Sequence, residues 1–318
     1  MNTTERVIRE QFPFWAEAPV PPPVPAEGAD YAIVGCGTSF YLAQMVAAAF
    51  NLSGRQAVAV PGAEWARRRQ AYRVDTRATT VIALSRSGES SETVQAVEVS
   101  RAAGLKTLAV TCEPDSSIVR AAESTVVART HPDEGIVMTV SASLMLIVGL
   151  RLAGIAVDAA RAADAALAAM AAVDTALPDA LANRSHFVYL GAGPLHGLAQ
   201  EGALKLQEMS LSYSQAFHTM EYRHGPISLV DAATLAVLLY SPDTRDEEAR
   251  VARDINDKGG LVLGLGGPGT VTVAVDEASP VRGLLALPAL QILGERVAER
   301  KGLDTAAPRH LNKVVLLG

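Results

Sequence analysis

Cysteine is scarce in this chain of 318 residues, with only Cys36 and Cys112. Two thiols cannot build a disulfide framework, and neither stands at a metal-ligand spacing. Positive charge is not in excess. The formal net charge is −6, which argues against a broad nucleic-acid-binding surface, though not against a local basic pocket. Long apolar runs are missing too: "SASLMLIVGL" is the longest, too short to span a bilayer. The N-terminal "MNTTERVIREQFPFW" has no apolar h-region of the secretory kind. These gaps point to a cytoplasmic protein with no membrane or nucleic-acid partner and no metal centre. What is there is apolar: 49% hydrophobic against 19% charged residues, enough for one large domain or two ordinary ones and too much for a disordered chain.

Residues 1–27 read as a short helical arm followed by "PVPPPVPAEG", a stiff Pro-rich spacer. Beyond it, short continuous apolar runs alternate with helical patterns. "YAIVGCGTS" is a strand entering a Gly-rich turn, "FYLAQMVAAAF" a helix, "QAVAVPG" a strand. "TTVIALSRSGES" is strand then turn, "SETVQAVEVSRAAG" a helix, "KTLAVTC" a strand and "MTVSASLMLIVGLRLAG" a buried helix. That alternation predicts a parallel sheet covered on both faces. The pattern then repeats. Gly35 and Gly37 recur 156 residues later as Gly191 and Gly193; the same offset takes Ser85 to Ser241 and Leu105 to Leu261. Two copies of one α/β unit follow: a first over 28–155, an Ala-rich helical connector over 156–182, and a second over 183–318. Ligands of such sheets bind at the carboxyl ends of the strands.

One of those ends is unusual. Ser85, Ser87, Ser90 and Ser91 crowd around Gly88 where an apolar strand turns into a helix. One Ser would serve as an N-cap; four exceed that need. Unpaired amides at the helix start, several hydroxyls and a glycine that allows close approach are what a phosphate monoester requires. Arg86 either assists or faces solvent. The second copy reads "SPDTRDEEA" at the equivalent place, having lost the Ser cluster and gained acid. Gly37, Thr38 and Ser39 form a second wall of small and hydroxylated residues. Cys36 reads as a small buried residue rather than a nucleophile.

Three stretches carry charged or titratable residues in apolar surroundings. In "EGALKLQEMS", Glu201, Lys205 and Glu208 share one helix face; the plain alternative is a solvated face with an ordinary ion pair. "EYRHGPISLV" puts His224 beside a rigid Gly-Pro break. In "PRHLNKVVLLG", Lys313 interrupts what reads as a terminal strand; it is either a solvated or edge-guarding lysine, or an amine able to form an imine with a carbonyl.

Taken in order, "GCGTS", "SRSGES", "EGALKLQEMS", "EYRHGP" and "LNKVV" resemble the signature of proteins carrying two sugar isomerase (SIS) domains in one chain, from about residue 28 onward. The similarity extends to the isomerase half of glucosamine-6-phosphate synthase and to hexosamine-phosphate deaminase/isomerases. It implies two flavodoxin-like three-layer α/β/α units. It implies a sugar phosphate held by Gly37, Thr38, Ser39, Ser85, Arg86, Ser87, Ser90 and Thr139. It implies a proton shuttle at Glu208 supported by Lys205 and Glu201, ring opening assisted by His224 from a neighbouring subunit of a homodimer, and Lys313 as the lysine that holds an open-chain ketose. No cofactor or metal is implied. The reaction expected is aldose–ketose isomerisation of a hexose or hexosamine 6-phosphate, as an amino sugar phosphate deaminase. A deglycase and a catalytically silent sugar-phosphate sensor are the alternatives. Asn at position 2 and the short leading segment do not fit glutamine-dependent amidotransfer, and that segment leaves no room for a helix-turn-helix domain.

Overall fold

The computed structural model describes residues 1–25, 29–72, 79–278 and 280–316; the expected boundary at 27/28 lies outside them. Two short helices lead, α1 (Thr3–Arg9) and α2 (Phe12–Ala16). Then follow β1 (Asp30–Gly35), α3 (Thr38–Leu52), β2 (Ala57–Pro61), α4 (Gly62–Arg68), β3 (Thr79–Ser85), α5 (Ser91–Ala102), β4 (Lys106–Thr111), α6 (Ser117–Ala121), β5 (Ser124–Val127) and α7 (Val140–Leu152). The second half runs through α8 (Ala159–Ala180), β6 (His186–Gly191), α9 (Pro194–Ser210), β7 (Ser214–His218), β8 (Thr234–Leu239), α10 (Arg245–Asp257), β9 (Leu261–Leu265), β10 (Val271–Val273) and α11 (Val281–Arg300).

The strands form two five-stranded sheets, ordered β2-β1-β3-β4-β5 and β10-β9-β8-β6-β7, parallel at every pairing. Read from its own first strand, each has the flavodoxin-like order 2-1-3-4-5, with the direction switch between its first and third strands. The apolar runs explain this. β3 is buried at every residue, and so is β8, as strands covered on both faces must be.

The duplication reaches backbone detail. Gly37 has φ 54 and ψ −129, and Gly193 has φ 53 and ψ −128. Both are N-caps in a conformation that disfavours any side chain. The preceding glycine does a different job in each turn. A Cβ at Gly35 would lie 2.7 Å from the Ser39 carbonyl carbon, and one at Gly191 would lie 2.3 Å from the Leu195 oxygen. The first turn of each helix therefore crosses directly over its strand end, and α3 and α9 start there.

The chain divides into two compact units, one of residues 13–157 and 310–318, the other of residues 1–12 and 158–309. Three sequence expectations change here. The stretch read as a connector is the helix α8, which packs along α11 within the second unit and buries the stripe Ala162, Ala166, Ala169, Met170, Val173 and Leu177. The Pro-rich segment is pinned rather than a free spacer: Arg151 of α7 donates to the carbonyls of Ala18 and Pro19, and Tyr31 to that of Pro25. The C-terminal stretch forms no strand among the described residues. Residues 311–316 take an irregular path and group with the first unit, so Lys313 guards no sheet edge.

The N-terminal arm is bound by charge. Arg296 of α11 bonds Asp174 of α8 and Glu5 of α1, both at 2.6 Å, and Arg9 bonds the same two carboxylates. The bond from Arg296 holds Glu5 below the usual carboxylate range, against the upward push of burial and helped by Arg9. Among the described residues, no helix is long and apolar enough to cross a membrane.

Candidate active site

The loop after β3 is built to present donors. Gly88 has φ +64, and a Cβ there would fall 2.1 Å from Ser116 Oγ. Only glycine fits against that neighbour in that conformation. The Ser85 hydroxyl oxygen accepts the Gly88 amide at 3.1 Å, and that of Ser87 accepts the Glu89 amide at 3.2 Å. Each hydroxyl keeps its own proton to donate. Ser90 is the N-cap residue of α5, yet its side chain makes no capping bond. The plain capping explanation of the Ser cluster therefore does not hold for it. Thr38 and Ser39 are buried in the first turn of α3, behind Gly37.

Arg86 does not face solvent. It is buried, and its guanidinium donates to the carbonyls of Gly135 and Lys313, both at 3.0 Å. Lys313 Nζ in turn donates to the Glu134 carbonyl at 3.0 Å. The Glu134 carboxylate is buried at the start of α7, where it accepts from the Thr139 amide at 2.6 Å, the Ser141 amide at 3.0 Å, the Thr139 hydroxyl at 2.9 Å and the Thr130 hydroxyl at 2.8 Å. Arg86, Thr139 and Lys313, expected singly from sequence, thus meet on the two residues Glu134 and Gly135. Glu134 is absent from the sequence reading. Its faint signal is an acid just ahead of a Thr-capped apolar helix. Lys313 itself is exposed.

In the second unit α9 brings Glu201, Lys205 and Glu208 together. The solvated-face alternative fails, because the Glu201 and Lys205 side chains are 0% exposed. Lys205 Nζ lies 3.6 Å from Glu201 and hydrogen-bonds Glu208 Oε2. A buried ammonium needs such partners. Glu208 is different: its side chain is 21% exposed, so one oxygen pair faces a buried cation while reaching solvent. His224 stands apart on a separate element. It is exposed at the end of the short 3-10 turn Glu221–Arg223, followed by Gly225 at φ +126.

Two further groups at the carboxyl end of the second sheet escaped the sequence reading. His196, in the first turn of α9, stacks on His218, the last residue of β7, with ring centroids 3.7 Å apart. Burial, then the neighbouring His218, pushes His196 down to about 4, so its imidazole is uncharged near neutrality. Their separation in sequence hides them. At the loop after β8, the counterpart of the Ser-rich loop, the buried carboxylate of Glu248 in the first turn of α10 accepts the Ser241 amide at 2.8 Å. Burial pushes it up to about 7. Cys36 and Cys112 are both held above the usual thiol value, chiefly by burial, and are not thiolate nucleophiles. Among the described residues, no three His, Cys, Asp or Glu side chains cluster to hold a metal ion.

Comparison with known proteins agrees with this duplicated architecture. The sequence profile of the SIS domain matches residues 30–153 and 180–274. Among curated proteins, the chain is 31% identical over 318 residues to an isomerizing glutamine–fructose-6-phosphate aminotransferase of Pseudomonas aeruginosa, covering 89% of this chain and 51% of that one. A Pyrobaculum aerophilum protein of the same name is 28% identical, with 89% and 50% covered. The chain spans about half the length of these relatives. Among solved structures, a glucosamine-6-phosphate deaminase of Thermotoga maritima superposes with a TM-score of 0.86 at 26% identity, covering 99% of this chain and 100% of that one. A tagatose-6-phosphate ketose/aldose isomerase of Escherichia coli has the same fold, with a TM-score of 0.80 at 22% identity and 95% and 93% covered.

Two outcomes follow from the buried carboxylates. Glu134→Gln replaces an acceptor of four donors by an amide with two hydrogens of its own; urea unfolding is expected to show a loss of about 2 kcal/mol, and an unchanged midpoint would mean the carboxylate does not hold this turn. Glu248 titrates higher folded than its ordinary 4.5. The stability it contributes is therefore full below that value and is lost as pH rises through about 7. Glu248→Gln, always neutral, is expected to gain on wild type between pH 5 and 8, by up to about 3 kcal/mol. A gap between the two melting curves that stays constant with pH would contradict this.

Proposed function

Because the chain belongs to the SIS-domain family, we propose that it is an aldose–ketose isomerase of a hexose or hexosamine 6-phosphate. Its overall reaction on this reading is deamination of an amino sugar phosphate to a ketose phosphate and ammonia. The observation that carries the proposal is the asymmetry on α9: Glu201 and Lys205 sealed from water, and Glu208 alone exposed.

That arrangement suits proton transfer between adjacent carbons. Glu208 removes the proton from C2 of the open-chain sugar, giving an enediol or enolamine, and returns a proton to C1. The Lys205 ammonium, hydrogen-bonded to that carboxylate, holds it in place. For an amino sugar, the C2 enolamine becomes a ketimine when C1 is protonated. Water adds to C2, and the C2–N bond breaks to release ammonia and leave the C2 carbonyl. The Ser85, Ser87 and Ser90 hydroxyls bind the phosphate, supplying positioning energy remote from the reacting carbons. The Thermotoga deaminase, alike over its whole length, supports the amino sugar assignment.

We also read the functional unit as a homodimer completed by His224 of the second copy. The segment carrying His224 exposes Leu211, Tyr213, Met220 and Leu229, with Tyr213 95% accessible. These exposed apolar side chains support a subunit contact at this segment.

Glu208→Gln is expected to lower kcat on glucosamine 6-phosphate by about 10³-fold while binding of the sugar phosphate, followed by calorimetry, is kept; full turnover in that variant would remove Glu208 from the mechanism. Light scattering on the purified protein should give twice the chain mass. A monomer at assay concentration would end the shared-site reading.

A further inference from the structure

Glu208 occupies the last turn of α9. The final carbonyls of a helix have no partner within it, so such turns fray. Here two of them, those of Gln207 and Ser210, are taken up, and a side chain reinforces the turn before them. The Leu206 carbonyl accepts the Ser210 hydroxyl at 2.6 Å, and the Gln207 carbonyl accepts the Leu211 amide at 3.1 Å. The Ser210 carbonyl accepts Lys301 Nζ at 3.0 Å. Lys301 Nζ also donates to Ser212 Oγ at 2.6 Å, and Ser212 Oγ is bonded to Ser210 Oγ at 2.8 Å. Leu211 ends the helix with φ 49 and ψ 37, a left-handed conformation uncommon for leucine. One ammonium therefore ties together the residues on both sides of a strained stop.

Lys301 is the C-cap residue of α11, and α11 grips the same turn a second time. A Cβ at Gly294 would lie 2.8 Å from Met209 Sδ, so the two helices touch next to Glu208. A cation at this place also complements the negative end of the α9 dipole. Lys301 is exposed as a residue, and partial burial of its ammonium holds it below the usual lysine value.

We propose that Lys301 is a positioning residue for the proton-transfer step: by capping the last carbonyl of α9 it fixes the turn that presents Glu208. The proposal rests on the reading of Glu208 given above. Lys301 touches no reacting atom; it acts through the backbone of Ser210.

Two variants test this. Lys301→Met removes the cap, and Lys301→Arg keeps a cationic donor. Hydrogen exchange at the Ser210 and Leu211 amides reads the positioning directly, without any turnover. It should be faster in the Met variant and near wild type in the Arg variant. Kinetics on glucosamine 6-phosphate read the consequence: kcat lower by about 10- to 100-fold in Lys301→Met, KM within about 2-fold, and most of the rate recovered in Lys301→Arg. Unchanged exchange would overturn the proposal. So would faster exchange with kcat intact, a fall confined to KM, or an Arg variant no better than the Met variant. Should Lys301→Met not fold, Ser212→Ala removes one leg of the cap, and exchange and kcat are expected to move in the same sense by a few-fold; no movement overturns the proposal. The Glu208→Gln assay separates this from a failure of the underlying reading, since that variant leaves Lys301 in place.

Discussion

The ammonium of Lys205 has no access to water, and two carboxylates on its own helix compensate it. Removing one partner from a buried pair of this kind leaves a charge uncompensated, which costs about 3–5 kcal/mol. The surrounding structure is arranged to keep all three groups in place. Gly191 lets α9 begin directly over the end of β6. Gly202, one residue after Glu201, lets the helix press on Tyr189 of β6 and Leu290 of α11, where a Cβ would come within 2.9 Å of both side chains. α9 is thus held at its start, its middle and its end. Glu208 emerges from a packed helix rather than a loop, which suits the proton transfer proposed for it.

Duplication supplied two units with one topology, and divergence has given their loops different chemistry. In the first, the loop after the third strand offers the hydroxyls of Ser85, Ser87 and Ser90. In the second, the same loop meets a buried carboxylate, with Glu248 of α10 on the Ser241 amide. The second unit invests instead in α9. The paired glycines before α3 and α9 keep the same backbone angles, because they serve helix–strand geometry, which both units need. The residues that carry chemistry had no such common constraint.

How much of this was legible in the sequence depended on the kind of signal. Strands buried on both faces announce themselves as apolar runs, and the Gly-x-Gly turns repeat at a fixed offset, so both sheets could be read. The Ser cluster was legible because it exceeds what capping requires. The i, i+4, i+7 spacing of Glu201, Lys205 and Glu208 was legible, but their burial was not, since it depends on α11 lying across the helix. Glu134 was hidden because half of its partners are backbone amides, which leave no mark on composition. His196 and His218 were hidden because their stacking arises only when β7 pairs beside β6. The Ala-rich α8 looked like a connector because its buried stripe is mostly alanine, which carries little pattern. The tail "KVVL" has the composition of a strand but, among the described residues, joins no sheet. Arg86 bonds the Lys313 carbonyl instead.

The measurement that bears most directly on the account is proton NMR of the wild-type protein in deuterated water, offered glucosamine 6-phosphate, galactosamine 6-phosphate, and fructose 6-phosphate with ammonium. Proton transfer by an exposed carboxylate predicts deuterium at C1 or C2 of at least one sugar, with ammonia formed from an amino sugar. Saturable binding of these sugars with no exchange at either carbon would contradict it and leave α9 without the chemistry assigned to it.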